Sequence, residues 1–293
     1  MHPVLFHLPF VGFPIHTYGV MIAIGFLLGM QLGAREARRI DIDGKRNFER
    51  FIQDLTFWVL VSSMAGARLL FVLVEWKNDY ANDPLKIFRI WEGGFVFYGG
   101  FLAAVAFSII YARRKKWSFL LVSDVLIPSV ALGHFFGRIG CFAAGCCWGQ
   151  ATGPDFPLAV QFPAGSLIYN AMLRERVIAA SSAFTIHVHP VQLYESFGEL
   201  LLFFVLIFVR TKKRFHGQVL LTYLFIYPIL RTSLEFIRGD KARGENVLLG
   251  LSTSQLISVF VALCAVGLLT TLIVRRSRSP SPMTEATTKA AST

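Results

Sequence analysis

Charged side chains are scarce in this sequence. They make up 16% of its 293 residues against 54% hydrophobic, a balance that excludes an ordinary soluble domain of this size and points to a bilayer. Lys and Arg are missing altogether ahead of the first apolar run, in MHPVLFHLPFVGFPIHTYG, so the charged front of a cleavable signal peptide is absent and this segment is expected to be retained and translocated. Phosphate-binding loops, dinucleotide fingerprints, a Ser-His-Asp pattern and internal repeats are also lacking. Cysteine is limited to four residues.

What the chain does have is long apolar runs. Stretches of the length a helix needs to cross hydrocarbon occupy 15–33, 51–75, 93–112, 117–138, 189–209, 218–236 and 252–274. They predict an all-α integral membrane protein with seven transmembrane helices. Basic residues set its orientation: 35–50, 113–116, 210–214 and 275–278 carry 6, 4, 4 and 3 Lys or Arg, whereas 1–17, 76–92, 147–188 and 237–251 carry 0, 3, 2 and 3. The N-terminus is expected outside and the C-terminus in the cytoplasm, with a small periplasmic arm at about 147–188 between helices four and five. Within that arm PDFPLAVQFP reads as an extended piece and SLIYNAMLRERVIAASS as an amphipathic helix that rests in the membrane interface or covers a cavity. Residues 1–276 read as one polytopic membrane domain and 277–293 as a disordered cytoplasmic tail. The net charge of +11 is accounted for by cytoplasmic loops facing anionic lipid, so nucleic acid is not implied.

Three arginines do not fit the loops. Arg68, Arg138 and Arg231 fall inside apolar runs, where each costs at least about 2.5 kcal/mol by insertion scales unless it faces protein or water. In the expected topology all three lie toward the outer leaflet, beside Tyr18, Tyr98, Gln192, Tyr194 and Glu195 at the outer ends of their helices and Glu235 one turn beyond Arg231. That places polar groups from six helices in one layer about 5 to 12 Å below the outer surface, around a cavity whose arginines suit an anionic lipid headgroup.

The order of motifs resembles that of the bacterial prolipoprotein diacylglyceryl transferases along nearly the whole chain. IHTYGVM, GARLLFVL, GGFVFYGGF, GRIGCFAAGCCWG, LAVQFP, HPVQLYE, YPILRTSLEFIR and LSTSQ follow one another as that family's segments do. The resemblance implies an enzyme of the bacterial inner membrane with its site toward the periplasm. It implies transfer of a diacylglyceryl group from phosphatidylglycerol to the lipobox cysteine of a prolipoprotein signal peptide, with release of glycerol phosphate and without cofactor or metal. By motif position Arg138 and Arg231 are expected on the phosphate side, Tyr18 and Tyr227 at the lipid, Gly149 where backbone approaches closely, and Glu235 as the partner of Arg231. Tyr98 joins Arg138, Arg231 and Glu235 as an expected catalytic residue, and Tyr18, Arg68, Cys141, Gly149, Gln192, Glu195 and Tyr227 are expected to line the substrate site.

Two departures stand out. Tyr98 occupies a position where many family members have histidine, and Cys141 and Cys146 replace the usual asparagine and glutamate. A neutral tyrosine is a poor base near pH 7, and His134 and His189 are the imidazoles at hand. Cys141, Cys146 and Cys147 are open to two readings, a disulfide or small residues in a tight turn; a zinc site lacks standard ligand spacing. Cys264 is expected to serve packing. An anionic-solute or lipid transporter and a catalytically inactive paralogue are the rival readings of the same polar layer.

Overall fold

The computed structural model describes residues 4–271 except 8, 10, 11, 13, 82, 240–254, 257, 260, 262, 264 and 269. It is mostly helical. In chain order a hairpin of β1 (Val4–His7) and β2 (Pro14–His16) precedes α1 (Thr17–Ile40), α2 (Phe48–Val74), α3 (Phe97–Arg114), α4 (Phe119–Ala144), α5 (Leu167–Arg174), α6 (Val191–Lys212) and α7 (Gln218–Glu235). Helices α1, α2, α4 and α6 are each long and apolar enough to cross a membrane, and the 18-residue α3 and α7 occupy two more of the expected runs. Nearly half of the seventh run, with Cys264 and the LSTSQ motif apart from Gln255, lies outside the described residues, as does the tail at 277–293.

Helix limits differ from the apolar runs for a physical reason. Helix α1 continues through GAREARRI and α4 through GRIGCFAA, since Ala, Arg and Glu propagate a helix well although they end an apolar window. Helix α3 starts later than its run because Gly93 and Gly94, at φ of 82° and 78°, hold the chain in a conformation no helix contains. The short hairpin was not expected from sequence.

The burial pattern is inverted relative to a soluble protein. On α6 the buried stripe contains Gln192, Glu195, Ser196 and Glu199, while Phe197, Leu201, Phe204 and Phe208 face outward. Apolar side chains outside and polar ones inside is the arrangement that a hydrocarbon surround favours.

Backbone contacts gather the chain into two units, one of residues 1–25 and 131–293, the other of 26–130. In the second unit α2 and α3 meet at glycine. A Cβ on Gly66 would lie 2.6 Å from the Gly99 carbonyl oxygen, and one on Gly99 would lie 2.6 Å from the Leu70 Cβ, so the backbones approach as closely as only small residues permit. Phe48, Phe51, Ile52, Leu55, Trp117 and Val122 form an apolar cluster near the basic loops of this unit, with Arg46 stacked 3.9 Å from the Trp117 ring.

In the first unit the arm between α4 and α6 is a small folded module. Phe162, Ile168, Met172 and Val188 form its core, and strand-like pairing joins Val160 to Val188 and Pro163 to Phe184. The expected amphipathic helix is only α5, capped at its start by Ser166, whose Oγ accepts from the Tyr169 amide at 3.3 Å. It ends before Glu175 and Arg176, the latter at φ 58°. Ile168, Tyr169 and Met172 of this helix are buried on the module, while Leu167 is exposed.

Candidate functional site

Helix α4 ends in a turn that concentrates chemistry. Gly145 takes φ 70°, its amide donates to the Phe142 carbonyl at 3.2 Å, and the Cys146 amide donates to the Cys141 carbonyl at 3.1 Å. This is the Schellman arrangement, and it folds Cys146 and Cys147 back over Cys141. The three sulfurs lie within 4.8 Å of one another, none joined in a disulfide, and Cys147 itself sits at φ 60°. Of the two sequence readings, the geometry matches the tight turn. Hydrogen bonds from the Cys141 and Cys146 thiols, aided by the charges of Arg138 and Arg238, hold the Cys147 thiol well below the usual thiol range. The same bonding with Cys141 and Cys147, with burial, pushes Cys146 far above it.

The segment after this turn is tied down by main chain. The Gly149 amide donates to the His189 carbonyl at 3.0 Å, the Gln150 amide to the Ile237 carbonyl at 2.8 Å, and the Gly239 amide to the Trp148 carbonyl at 3.1 Å. Residues 148–150 thereby join the start of α6 to the end of α7. At Gly149 the chain passes so close that a Cβ would lie 2.6 Å from the His189 oxygen and 2.7 Å from the Val191 side chain.

Acidic and basic side chains pair between α4 and α6 in antiparallel register. Arg138 Nη2 meets Glu195 Oε1 at 2.7 Å, and one turn away on both helices His134 Nδ1 meets Glu199 Oε1 at 3.0 Å. Between these rungs Ser196 Oγ donates to the Phe135 carbonyl at 3.1 Å. Helix α7 adds the expected pair one turn apart, Arg231 Nη1 to Glu235 Oε2 at 2.6 Å, and stacks Tyr223 on Tyr227 with ring centres 5.3 Å apart. Tyr227 lies within electrostatic reach of Glu195, Glu199, Arg138 and Arg231. Tyr18, at the start of α1, packs on Gly140 and lies within reach of Arg138 and the three thiols. Gln192 donates to the Cys146 carbonyl at 2.6 Å.

Buried polar atoms remain open in this cluster. Gln192 Oε1, Glu195 Oε2, Glu199 Oε2 and Arg231 Nη2 are buried and make no hydrogen bond among the described residues. Such groups are costly unless something pairs with them, so their concentration marks a place built for a ligand.

Of the expected site residues, the first unit brings together Tyr18, Arg138, Cys141, Gly149, Gln192, Glu195, Tyr227, Arg231 and Glu235. Arg68 and Tyr98 belong to the second unit. Arg68 is buried, and its guanidinium donates to the backbone carbonyls of Lys86, Ile87, Arg89, Gly93 and Gly94, clasping the loop that leads into α3. Tyr98 sits in the first turn of α3, half exposed, edge-on to Phe97. Sequence reasoning missed Glu199 and Tyr223. Their signal was spacing: Glu199 follows Glu195 by one helical turn, and Tyr223 precedes Tyr227 by one.

An inverted burial pattern, together with an arginine–glutamate and a histidine–glutamate pair between α4 and α6, defines a helical membrane protein with a buried charged cluster. The chain belongs to the prolipoprotein diacylglyceryl transferase family, whose model matches residues 3–271. Among its relatives is a phosphatidylglycerol–prolipoprotein diacylglyceryl transferase of Clostridium tetani, 35% identical over 267 residues that cover 91% of this chain and 96% of the relative. Proteins of the same name from Idiomarina loihiensis and Paraburkholderia xenovorans are 34% identical over 254 residues and 31% identical over 277. The first alignment covers 86% of each chain, the second 91% of this chain and 92% of the relative.

Proposed function

We propose that this chain transfers the diacylglyceryl group of phosphatidylglycerol to the lipobox cysteine thiol of a prolipoprotein signal peptide, releasing glycerol phosphate. The observation that carries the reading is the group of buried, open polar atoms around Arg138–Glu195 and Arg231–Glu235. In the reaction the peptide sulfur forms a bond to the glyceryl carbon while that carbon's bond to the phosphate oxygen breaks, and the departing oxygen keeps the electron pair. Arg231, with Nη2 open, and Arg138 stabilise that charge, since guanidinium groups fixed away from water need no reorganisation as the bond breaks. Glu235 and Glu195 hold the two guanidinium groups in place. Tyr18, Tyr227 and Gln192 line the lipid with the Cys141 turn, and Gly149 lets backbone come close. Within the other unit Arg68 shapes the loop that leads into α3, whose first turn carries Tyr98.

The same reading takes the protein as a seven-span chain of the bacterial inner membrane. Its N-terminus faces outward, its C-terminus lies in the cytoplasm, and its site opens toward the periplasm. Residues 1–276 then form one membrane domain and 277–293 a cytoplasmic tail. Basic residues close α1, α3 and α6, which supports the alternation of spans. Purified protein incubated with phosphatidylglycerol and a lipobox peptide is expected to yield lipidated peptide and glycerol phosphate in equal amounts. Absence of both products, or solute uptake into vesicles in their place, would refute it.

A further inference from the structure

We propose that His134, positioned by Glu199, accepts the proton of the attacking thiol; the assignment rests on the transferase reading above. Transfer to a carbon atom needs a thiolate, and an unperturbed thiol near pKa 8.5 is mostly protonated at neutral pH. Something at the site must take that proton.

The pairing of α4 with α6 supplies it. His134 stands one turn before Arg138, and Glu199 one turn after Glu195, so the imidazole rung lies directly beside the guanidinium rung. Glu199 is fully buried, while the His134 side chain is 38% exposed. The carboxylate therefore holds one ring nitrogen from within the protein and leaves the other edge accessible. With Nδ1–H donating to Glu199 Oε1 at 3.0 Å, Nε2 carries the lone pair, and it makes no hydrogen bond among the described residues. The Tyr223 hydroxyl, 3.3 Å from the same Nδ1, and the Tyr227 ring, 5.4 Å centre to centre, fix the plane of the imidazole. A carboxylate behind an imidazole that faces substrate selects the tautomer and stabilises the imidazolium formed on protonation.

The balance closes without a co-reactant. The thiol proton moves to Nε2, the sulfur bonds to the glyceryl carbon, the carbon–oxygen bond breaks with its electrons on the phosphate, and the imidazolium returns its proton to the departing glycerol phosphate. Among the described residues the titratable groups facing the ring are Glu199 from α6 and Tyr223 and Tyr227 from α7, with Arg138 on its own helix; α1 meets the flanking positions of α4 through Gly25, against Phe136 and Gly133, Ile22, against Gly137, and Tyr18, against Gly140. His189 lacks this setting: it contacts the Tyr194 hydroxyl at 3.3 Å and the Phe156 ring, with no carboxylate bonded to it among the described residues.

The test compares two peptides of identical sequence, one with the lipobox cysteine and one with selenocysteine, whose selenol ionises at neutral pH without a base. With the cysteine peptide near pH 7, His134→Gln is expected to lower kcat by about 10²- to 10⁴-fold with KM little changed. Glu199→Gln should fall in the same direction by less, and raising the pH should recover part of each loss. With the selenocysteine peptide both variants should return to within about tenfold of the unaltered chain, whereas Arg138→Ala should not. Transfer by the unaltered chain together with an equal loss on both peptides, or with no loss in His134→Gln, overturns the role of His134. Failure of the unaltered chain on both peptides overturns the transferase reading itself.

Discussion

Arg138 and Arg231 show how little a charge in a helix means until its partner is known. Each is held by a glutamate at 2.7 or 2.6 Å, so its cost in the bilayer is offset by pairing, and its remaining donors are aimed rather than loose. In the proposed reaction the planar fork meets the phosphate oxygens. Arg138→Lys and Arg231→Lys keep a positive charge but lose the bidentate geometry, and initial rates of peptide lipidation should fall by about 10²- to 10³-fold with little change in thermal midpoint. Cys147 gives a pH-dependent signature. Its lowered pKa favours the thiolate, the reactive form, at a lower pH than in an ordinary thiol. Its alkylation rate, followed by peptide mass spectrometry, should stay flat from about pH 6 to 8, while Cys146, pushed upward, should remain unreactive over that range.

Among elements, the helices were the most legible part of this chain. Runs of apolar residues long enough to span hydrocarbon have no other common use, and six of the seven runs coincide with described helices. Their ends were not legible, because a helix stops where its backbone is capped rather than where its hydropathy fades; Gly145 ends α4 six residues beyond the apolar run. The arm before α6 was least legible. Its pairing of Val160 with Val188 joins residues far apart in sequence, and no periodicity within either strand announces the partner. The site was legible where a charge stood among apolar residues, as at Arg138 and Arg231. It was not legible for Glu199, which could equally have been a tie between helices. Arg68 stood out for the same reason as the other arginines, yet only the fold could place its guanidinium on five loop carbonyls. The close passage of α2 and α3 carries its own prediction. Gly99→Val would force side-chain atoms against the Gly66 backbone and Leu70, and should destabilise the detergent-solubilised protein by about 1 to 3 kcal/mol, seen as a lower thermal midpoint.

For the whole molecule, the distribution of Lys and Arg makes a prediction about sidedness. In a background with the native cysteines replaced by serine, Lys45→Cys should resist an impermeant maleimide in intact spheroplasts and react after lysis, whereas Ser181→Cys should react at once. The reverse pattern would turn the proposed site toward the cytoplasm, away from any exported peptide. The paired rungs also bear on how the chain enters the membrane during synthesis. A lone helix carrying Gln192, Glu195 and Glu199 is a poor candidate for partition out of the translocon into lipid. By the time α6 leaves the ribosome, however, α4 has already delivered Arg138 and His134, the counterparts of those carboxylates in the finished structure. Insertion and site assembly are thereby expected to be one event: α6 becomes lipid-compatible by docking on α4, and the same docking forms the paired charges of the candidate site.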